Sequence, residues 1–303
     1  MKIIFYDSPG KRVVTELVKA ALEKGLRKHA SHMIPYAHDF VSGKTNIDSS
    51  EAVIVFGISN EARVVVAECK GLGKPYFIVD KGYIRRKSRG DIEHNAYWRM
   101  SPNSMHPEFN LSSGAMPLER WHRLKLELEK TRTGKGSGYI LLIAPALRVF
   151  NFLGLCTNVS SLSKFFDEVA VKVLAITDRH VVFRGKLDSK MAFTKEGWQF
   201  SPKQVSHSLS GRTIESDIQG ASIVVTHTTN AGVRAVMAGV PVVELGVGVV
   251  KPLAETDLGK INNPKRYTEE ERERFFHWLA WQQWTLAEMI SGEAWAYFKP
   301  QIL

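Results

Sequence analysis

Apolar positions along the chain fall into short continuous runs separated by stretches of helical spacing. Residues 2–6 (KIIFY), 52–57 (AVIVFG) and 74–80 (KPYFIVD) are apolar runs bounded by turn residues, which predicts buried strands. Between them, 13–26 (VVTELVKAALEKGL) and 61–73 (EARVVVAECKGLG) repeat apolar residues at helical spacing and close near a glycine, which predicts helices. Strand–helix–strand units of this length imply parallel pairing through crossover helices. The chain up to Asp80 therefore reads as a small doubly wound sheet.

The pattern then lapses. Residues 81–110 show little apolar periodicity and are rich in Arg, Lys, Asn, His, Tyr and Trp. So long a stretch inside a compact domain is either functional or disordered, and its aromatics argue against disorder. Residues 119–138 predict a charged helix running into a Gly/Ser/Lys linker at 133–138. Strands are then expected at 139–145, 180–186, 222–227 and 241–246, with helices at 161–177, 212–221 and 229–238. The stretch 268–295 predicts one or two amphipathic helices opening on Thr268, with Glu271 at capping-box spacing. Its tryptophans, Trp278, Trp281, Trp284 and Trp295, read as core or interdomain packing. The expected class is α/β: two Rossmann-like domains (1–132 and 139–265) facing across a cleft, with C-terminal helices (266–303) packing between them.

Composition narrows the function classes. With 303 residues and 44% hydrophobic content there is material for two cores. Two cysteines, Cys69 and Cys156, suffice for neither a disulfide framework nor a zinc cluster and fit a reducing cytoplasm. The first apolar run is broken by Asp7 and Pro9, unlike a signal peptide, and no run approaches the ~18 apolar residues of a membrane span. A cytoplasmic protein with no membrane span is the expectation. The formal net charge of +10 favours partners that carry phosphate, whether nucleic acid, nucleotides or an anionic membrane surface.

The most informative stretch is 224–243, VVTHTTNAGVRAVMAGVPVV, in which a strand hands over to a helix through His227, Thr228, Thr229 and Asn230. Ligands of open α/β sheets sit beyond the carboxyl ends of strands, and a helix start there offers unpaired N–H groups to a phosphate. The same residue types are also preferred helix caps. In the same half, 180–190 ends a strand on Arg184 and Lys186, alternate residues that point one way and could pair with a diphosphate or line a solvated edge.

On these residues the C-terminal half resembles the nucleotide-sugar domain of GT-B fold glycosyltransferases, in the capsule-polysaccharide and related branches. The matching positions are Phe183-Arg184-Gly185-Lys186, Ala221-Ser222-Ile223-Val224-Val225-Thr226, Thr228-Thr229-Asn230-Ala231 and Ala238-Gly239-Val240-Pro241-Val242. Gly185 stands where relatives carry proline, and Arg234 where many carry an acidic residue. The resemblance implies a nucleotide-sugar donor, most simply a UDP-sugar, with no metal required. By it, Arg184, Lys186, Thr228, Thr229 and Asn230 lie at the diphosphate and Glu244 at the ribose or sugar; His227, between Thr226 and Thr228, is grouped with these donor-binding candidates without an assigned contact. Residues 54–86 (IVFGISNEARVVVAECKGLGKPYFIVDKGYIRR), with 94–107 (HNAYWRMSPNSMHP), are similar to the N-terminal half of phage-encoded glycosyltransferase-like proteins, some associated with hypermodified DNA bases, which implies the cytoplasm of a host cell.

Residues 83–99 place Arg85, Arg86, Lys87, Arg89 and Arg99 among Tyr83, Tyr97 and Trp98, a mixture that can neutralise phosphates and stack on an exposed base, or form a solvated loop whose aromatics plug a core. For a general base, Asp7 and Asp80 end predicted strands while His94 and His106 lie in the loop; Asp80 and His94 are the candidates taken forward. A retaining mechanism would need no dedicated base. There is no His-Glu-x-x-His, Walker or Asp-x-Asp motif, and 133–138 (TGKGSG) precedes a strand where a phosphate loop would follow one. The expected activity is transfer of a sugar from a nucleotide-sugar to a hydroxymethylated base in DNA. The alternatives are a surface-polysaccharide acceptor, another DNA-base transferase such as an amino-acid:DNA transferase, and a non-catalytic DNA- or nucleotide-binding protein.

Overall fold

The computed structural model describes residues 1–7, 12–39, 44–84, 96–112, 114–132, 138–156, 158–185, 205–208 and 211–301. They form two compact units, Met1–Pro107 with Leu279–Leu303, and Glu108–Trp278.

The first unit contains β1 (Lys2–Asp7), α1 (Arg12–Arg27), β2 (His32–Pro35), a small hairpin of β3 (His38–Asp39) and β4 (Lys44–Thr45), β5 (Ala52–Phe56), α2 (Asn60–Gly71), β6 (Tyr76–Lys81) and β7 (Tyr97–Pro102). Its six-stranded sheet runs from the C-terminal strand Gln283–Thr285 through β7, β6, β5 and β1 to β2. The strands β2, β1, β5 and β6 are parallel; β7 and Gln283–Thr285 extend the edge in antiparallel steps. Every residue of β5 is buried, as a strand covered on both faces requires. Ser59 starts α2 by accepting a hydrogen bond from Ala62 N–H at 3.1 Å. The core joins Ile3, Phe5, Phe56 and Phe77 of the sheet to Val18 and Leu22 of α1 and to Trp284, Trp295 and Phe298 of the tail. Gly25 lets α1 approach the tail helix Leu286–Ser291 so closely that a Cβ would overlap the Met289 carbonyl oxygen.

The second unit contains α3 (Glu119–Leu124), β8 (Tyr139–Ile143), α4 (Leu147–Leu153), α5 (Val159–Leu174), β9 (Val181–Arg184), β10 (Val205–His207), α6 (Ile214–Gly220), β11 (Ala221–Thr226), α7 (Ala231–Met237), β12 (Val242–Glu244) and the start of α8 (Glu269–Ala280). All five strands are parallel, in the order β10–β9–β8–β11–β12. Counted from β8, that is the 3-2-1-4-5 order of a Rossmann-like sheet. Phe150, Leu162, Phe166 and Val173 of α4 and α5 cover one face, against Leu142, Phe183 and Val225. Thr268 and Glu271 form both bonds of the expected capping box (2.7 and 3.1 Å).

Three expectations are corrected. The stretch 81–110 contains β7, whose pattern is masked because Arg99 and Ser101 are buried polar residues alternating with Trp98 and Met100. The charged helix from Glu119 stops at Leu124, with Lys125 left-handed at φ 48°. The units also divide elsewhere than at the expected linker, of which 133–137 lie outside the described residues. The chain before that linker is anchored to the second unit: Phe109 packs on Phe275 and Trp278, Glu129 N–H donates to the Met237 carbonyl (3.1 Å), and Arg132 N–H donates to Gly239 (2.7 Å). The tail from Leu279 returns to the first unit because Gln283–Thr285 supplies a strand to its sheet.

Candidate functional site

In the second sheet the strand order reverses at β8, with β9 on one side and β11 on the other. The crevice outside the carboxyl ends of such neighbours is where open α/β sheets receive ligands. Register sets Arg184, Ile143, Thr226 and Glu244 in one row at that edge, so they share one face of the sheet. The 227–230 segment leaves the same edge and enters α7.

Glu244 is 1% exposed, yet its carboxylate is well supplied with donors. Oε2 accepts from the Thr226 hydroxyl (2.7 Å), and Oε1 accepts from the backbone N–H of Thr228 (2.7 Å) and Gly246 (2.9 Å). Burial raises its pKa, and these bonds together with the Gly248 N–H act against that. Thr228 is left-handed at φ 52°, a conformation that costs a β-branched residue roughly 1–3 kcal/mol and persists only where its surroundings impose it. The Thr228 hydroxyl in turn accepts from Val247 N–H at 3.0 Å.

His227 packs against Phe150 and Phe165, with ring centroids 4.5 and 5.5 Å away. Burial lowers its pKa to about 4, and its Nδ1 has no hydrogen-bond partner among the described residues. Thr229 and Asn230 are half-buried; Asn230 forms no side-chain cap on α7, and the Thr229 hydroxyl accepts weakly from Ala231 N–H at 3.4 Å. Because α7 has only seven residues, side chains and loop amides matter more here than a helix dipole.

Arg184 is held by a fully buried carboxylate that the sequence reading missed. Its guanidinium pairs with Asp217 of α6 and donates to Ser208 Oγ (3.2 Å) and to the Arg212 carbonyl (3.1 Å). Ser208 Oγ also donates to Asp217, at 2.6 Å. On the other carboxylate oxygen sits Arg212 Nε, at 3.0 Å. One buried negative charge thus orients two guanidiniums, leaving a positive charge in excess, and both arginine side chains stay partly exposed (23% and 38%). Lys186, the expected second cation, lies outside the described residues.

The first unit carries a different polar cluster. Asp80, near the end of β6, pairs with Arg99 of β7 at 3.4 Å, both nearly inaccessible. Arg99 Nη1 donates to His106 Nδ1 (2.9 Å), which makes Nδ1 an acceptor and puts the ring proton on Nε2. The Tyr83 hydroxyl donates to the same Nδ1 at 3.0 Å, and the Arg99 guanidinium lies 5.5 Å from the Tyr83 ring centre. Burial first, and Arg99 second, hold the His106 pKa well below the ordinary histidine value. Tyr97 and Trp98 are sheet residues, paired with Thr285 and Trp284, and Trp98 packs on Phe56. Arg85, Arg86, Lys87, Arg89 and His94 lie outside the described residues.

No family model matches the chain, and no curated protein matches it in sequence. In fold, solved structures do. KpsC of Thermosulfurimonas dismutans, a β-Kdo 2,4 transferase, aligns with a TM-score of 0.52 at 13% identity, over 90% of this chain and 89% of that one. The fold is GT-B-like. The β-Kdo 2,7 transferase of the same KpsC gives 0.39 at 11% identity, over 98% and 99%. The UDP-GlcNAc 2-epimerase of Methanocaldococcus jannaschii, in complex with UDP-GlcNAc and UDP, gives 0.31 at 12%, over 92% and 99%. Scores at that level establish no shared fold by themselves.

Within this GT-B-like fold, one sheet edge gathers Arg184, His227, Thr228, Thr229, Asn230 and Glu244 of the expected donor residues. Arg99 and Asp80, expected in separate roles, are instead partners. Asp217 and Arg212 had one sequence signal: Asp217 shares a helix face with Ile214 and Ile218, an apolar stripe where a carboxylate needs a partner. Among the described residues, no group of three or more His, Cys, Asp or Glu could hold a metal ion, and no helix is long and apolar enough to cross a membrane.

Proposed function

We propose that the chain is a glycosyltransferase using a nucleotide-sugar donor, a UDP-sugar in the first instance, whose diphosphate lies over the carboxyl ends of β9, β8 and β11. The observation that carries this reading is the row at the topological switch point, where Arg184, oriented by buried Asp217 and accompanied by Arg212, shares an edge with the 227–230 segment. In glycosyl transfer an acceptor oxygen bonds to the anomeric carbon as the bond to the diphosphate oxygen breaks, so negative charge develops on the leaving group. Pre-oriented guanidiniums and loop donors lower the cost of that charge. This assignment requires no metal for the step. Of the candidate bases, Asp80 is committed to Arg99, which leaves His94 as the residue to substitute first.

The acceptor divides into two classes. A DNA base would require Tyr97, Trp98 and Arg99 at an open surface, but Arg99 is buried against Asp80 and Tyr97 and Trp98 are half-buried, which favours a carbohydrate hydroxyl. The net charge of +10 and the Arg85, Arg86, Lys87 and Arg89 cluster favour the second reading, a hydroxymethylated base in DNA. The test measures nucleotide release from a panel of nucleotide-sugars with oligosaccharides or with hydroxymethylated duplex DNA. Release that oligosaccharides stimulate and Arg184→Ala abolishes is the expected result. Release that depends on DNA moves the acceptor to the second reading. No turnover of any donor with either acceptor overturns the transferase.

A further inference from the structure

We infer that Glu244 is a positioning residue that sets the 227–230 segment for the phosphates, and that it does not itself touch the nucleoside; this rests on the donor-site reading above. Its whole carboxylate faces inward. One oxygen takes the N–H of Thr228 and of Gly246, and the other takes the Thr226 hydroxyl. The carboxylate therefore ties the end of β11, the turn into α7 and the loop after β12 into one piece. Thr228, which no free chain would hold at φ 52°, is fixed from both sides: its N–H by Glu244, its hydroxyl by Val247 N–H at 3.0 Å. The two glycines of that loop are there for close approach. A Cβ on Gly246 would overlap Thr228 Oγ1 and crowd His227 Nδ1 (2.7 Å), and one on Gly248 would overlap the Glu244 carboxylate. No room is left at the carboxylate for a ribose hydroxyl, whereas Thr229 and Asn230, one and two residues on, are the partly exposed members of the segment.

The experiment separates positioning from contact by using two ligands, UDP and inorganic pyrophosphate, which lacks the nucleoside. Binding of each is titrated by calorimetry against the wild-type chain, Glu244→Ala and Glu244→Gln. Removing the acceptor strands the Thr228, Gly246 and Gly248 amides, so Glu244→Ala should lose affinity for both ligands by the same factor, about tenfold or more, a uniform loss of 1.4 kcal/mol per tenfold. Glutamine keeps an oxygen for Thr228 and Gly246, so Glu244→Gln should restore both ligands to within about threefold. If UDP binding falls in either variant while pyrophosphate binding is kept, Glu244 contacts the nucleoside and the inference is wrong. Unchanged binding of both in Glu244→Ala also overturns it. Should Glu244→Ala not fold, Glu244→Gln alone decides: both ligands retained supports positioning, and a selective loss of UDP refutes it. A wild-type chain that binds neither ligand sinks the donor-site reading itself, a different failure from any shown by the variants.

Discussion

Asp80 and Asp217 are both buried aspartates that pair with arginine near the carboxyl ends of parallel strands, yet their surroundings differ in kind. Asp80 pairs with Arg99, which is itself buried and shared with His106 and Tyr83, so the two charges of this pair offset each other inside the fold. Asp217 meets two guanidiniums, those of Arg184 and Arg212, both partly exposed, so a positive charge is left over and faces outward. The same ion pair closes a core in the first unit and presents a cation in the second. Burial of the arginine, and not the pairing, separates a pair that is closed off in a core from one whose cations can still meet a ligand.

The sharpest way to break this comparison is to remove one arginine from each cluster. Arg99→Ala removes the buried guanidinium that Asp80, His106 and Tyr83 share and should cost about 3–5 kcal/mol of unfolding free energy in a denaturant melt. Arg184→Ala leaves Arg212 on Asp217 and should cost about 1 kcal/mol or less, while UDP affinity falls about tenfold or more. Equal losses of stability would erase the distinction.

Histidine sharpens the same contrast through pH. His227 titrates near 6.5 when unfolded but only at about 4 when folded. Neutral His227 therefore contributes stability that is full above pH 6.5 and is lost as pH falls toward 4, by up to about 3 kcal/mol. In His227→Gln that part of the acid slope should vanish from melts collected across the window. The smallest effect belongs to the tail strand, where Thr285 caps Leu286–Ser291 in a capping box with Glu288. Thr285→Ala should lower stability by ~1 kcal/mol and leave UDP binding unchanged.

The parallel strands were legible because β5 and β8 are apolar on both faces, and the Rossmann-like order followed from the alternation of strands and helices. β7 was not, because buried Arg99 and Ser101 imitate a polar loop. Nor was Gln283–Thr285, whose Trp284 continues a near-helical tryptophan spacing from Trp278 and Trp281. In the site, the row from Arg184 to Glu244 was readable as strand ends. The Asp217 bridge between Arg184 and Arg212 was not, because strand β9 and helix α6 meet only through the tertiary fold. Glu244 was visible as a polar residue closing a strand, but its inward commitment depends on the turn at Thr228, which no local pattern announces.

The central claim is that the second unit's sheet edge holds the donor diphosphate. Its most direct test is a titration of UDP into isotope-labelled protein, followed by amide and arginine side-chain NMR. The account predicts saturable shifts confined to the Thr226–Asn230 amides and the Arg184 and Arg212 guanidiniums, lost in Arg184→Ala, with Arg99 and His106 unmoved. Shifts centred on Arg99 and His106, or none at millimolar UDP, would contradict it.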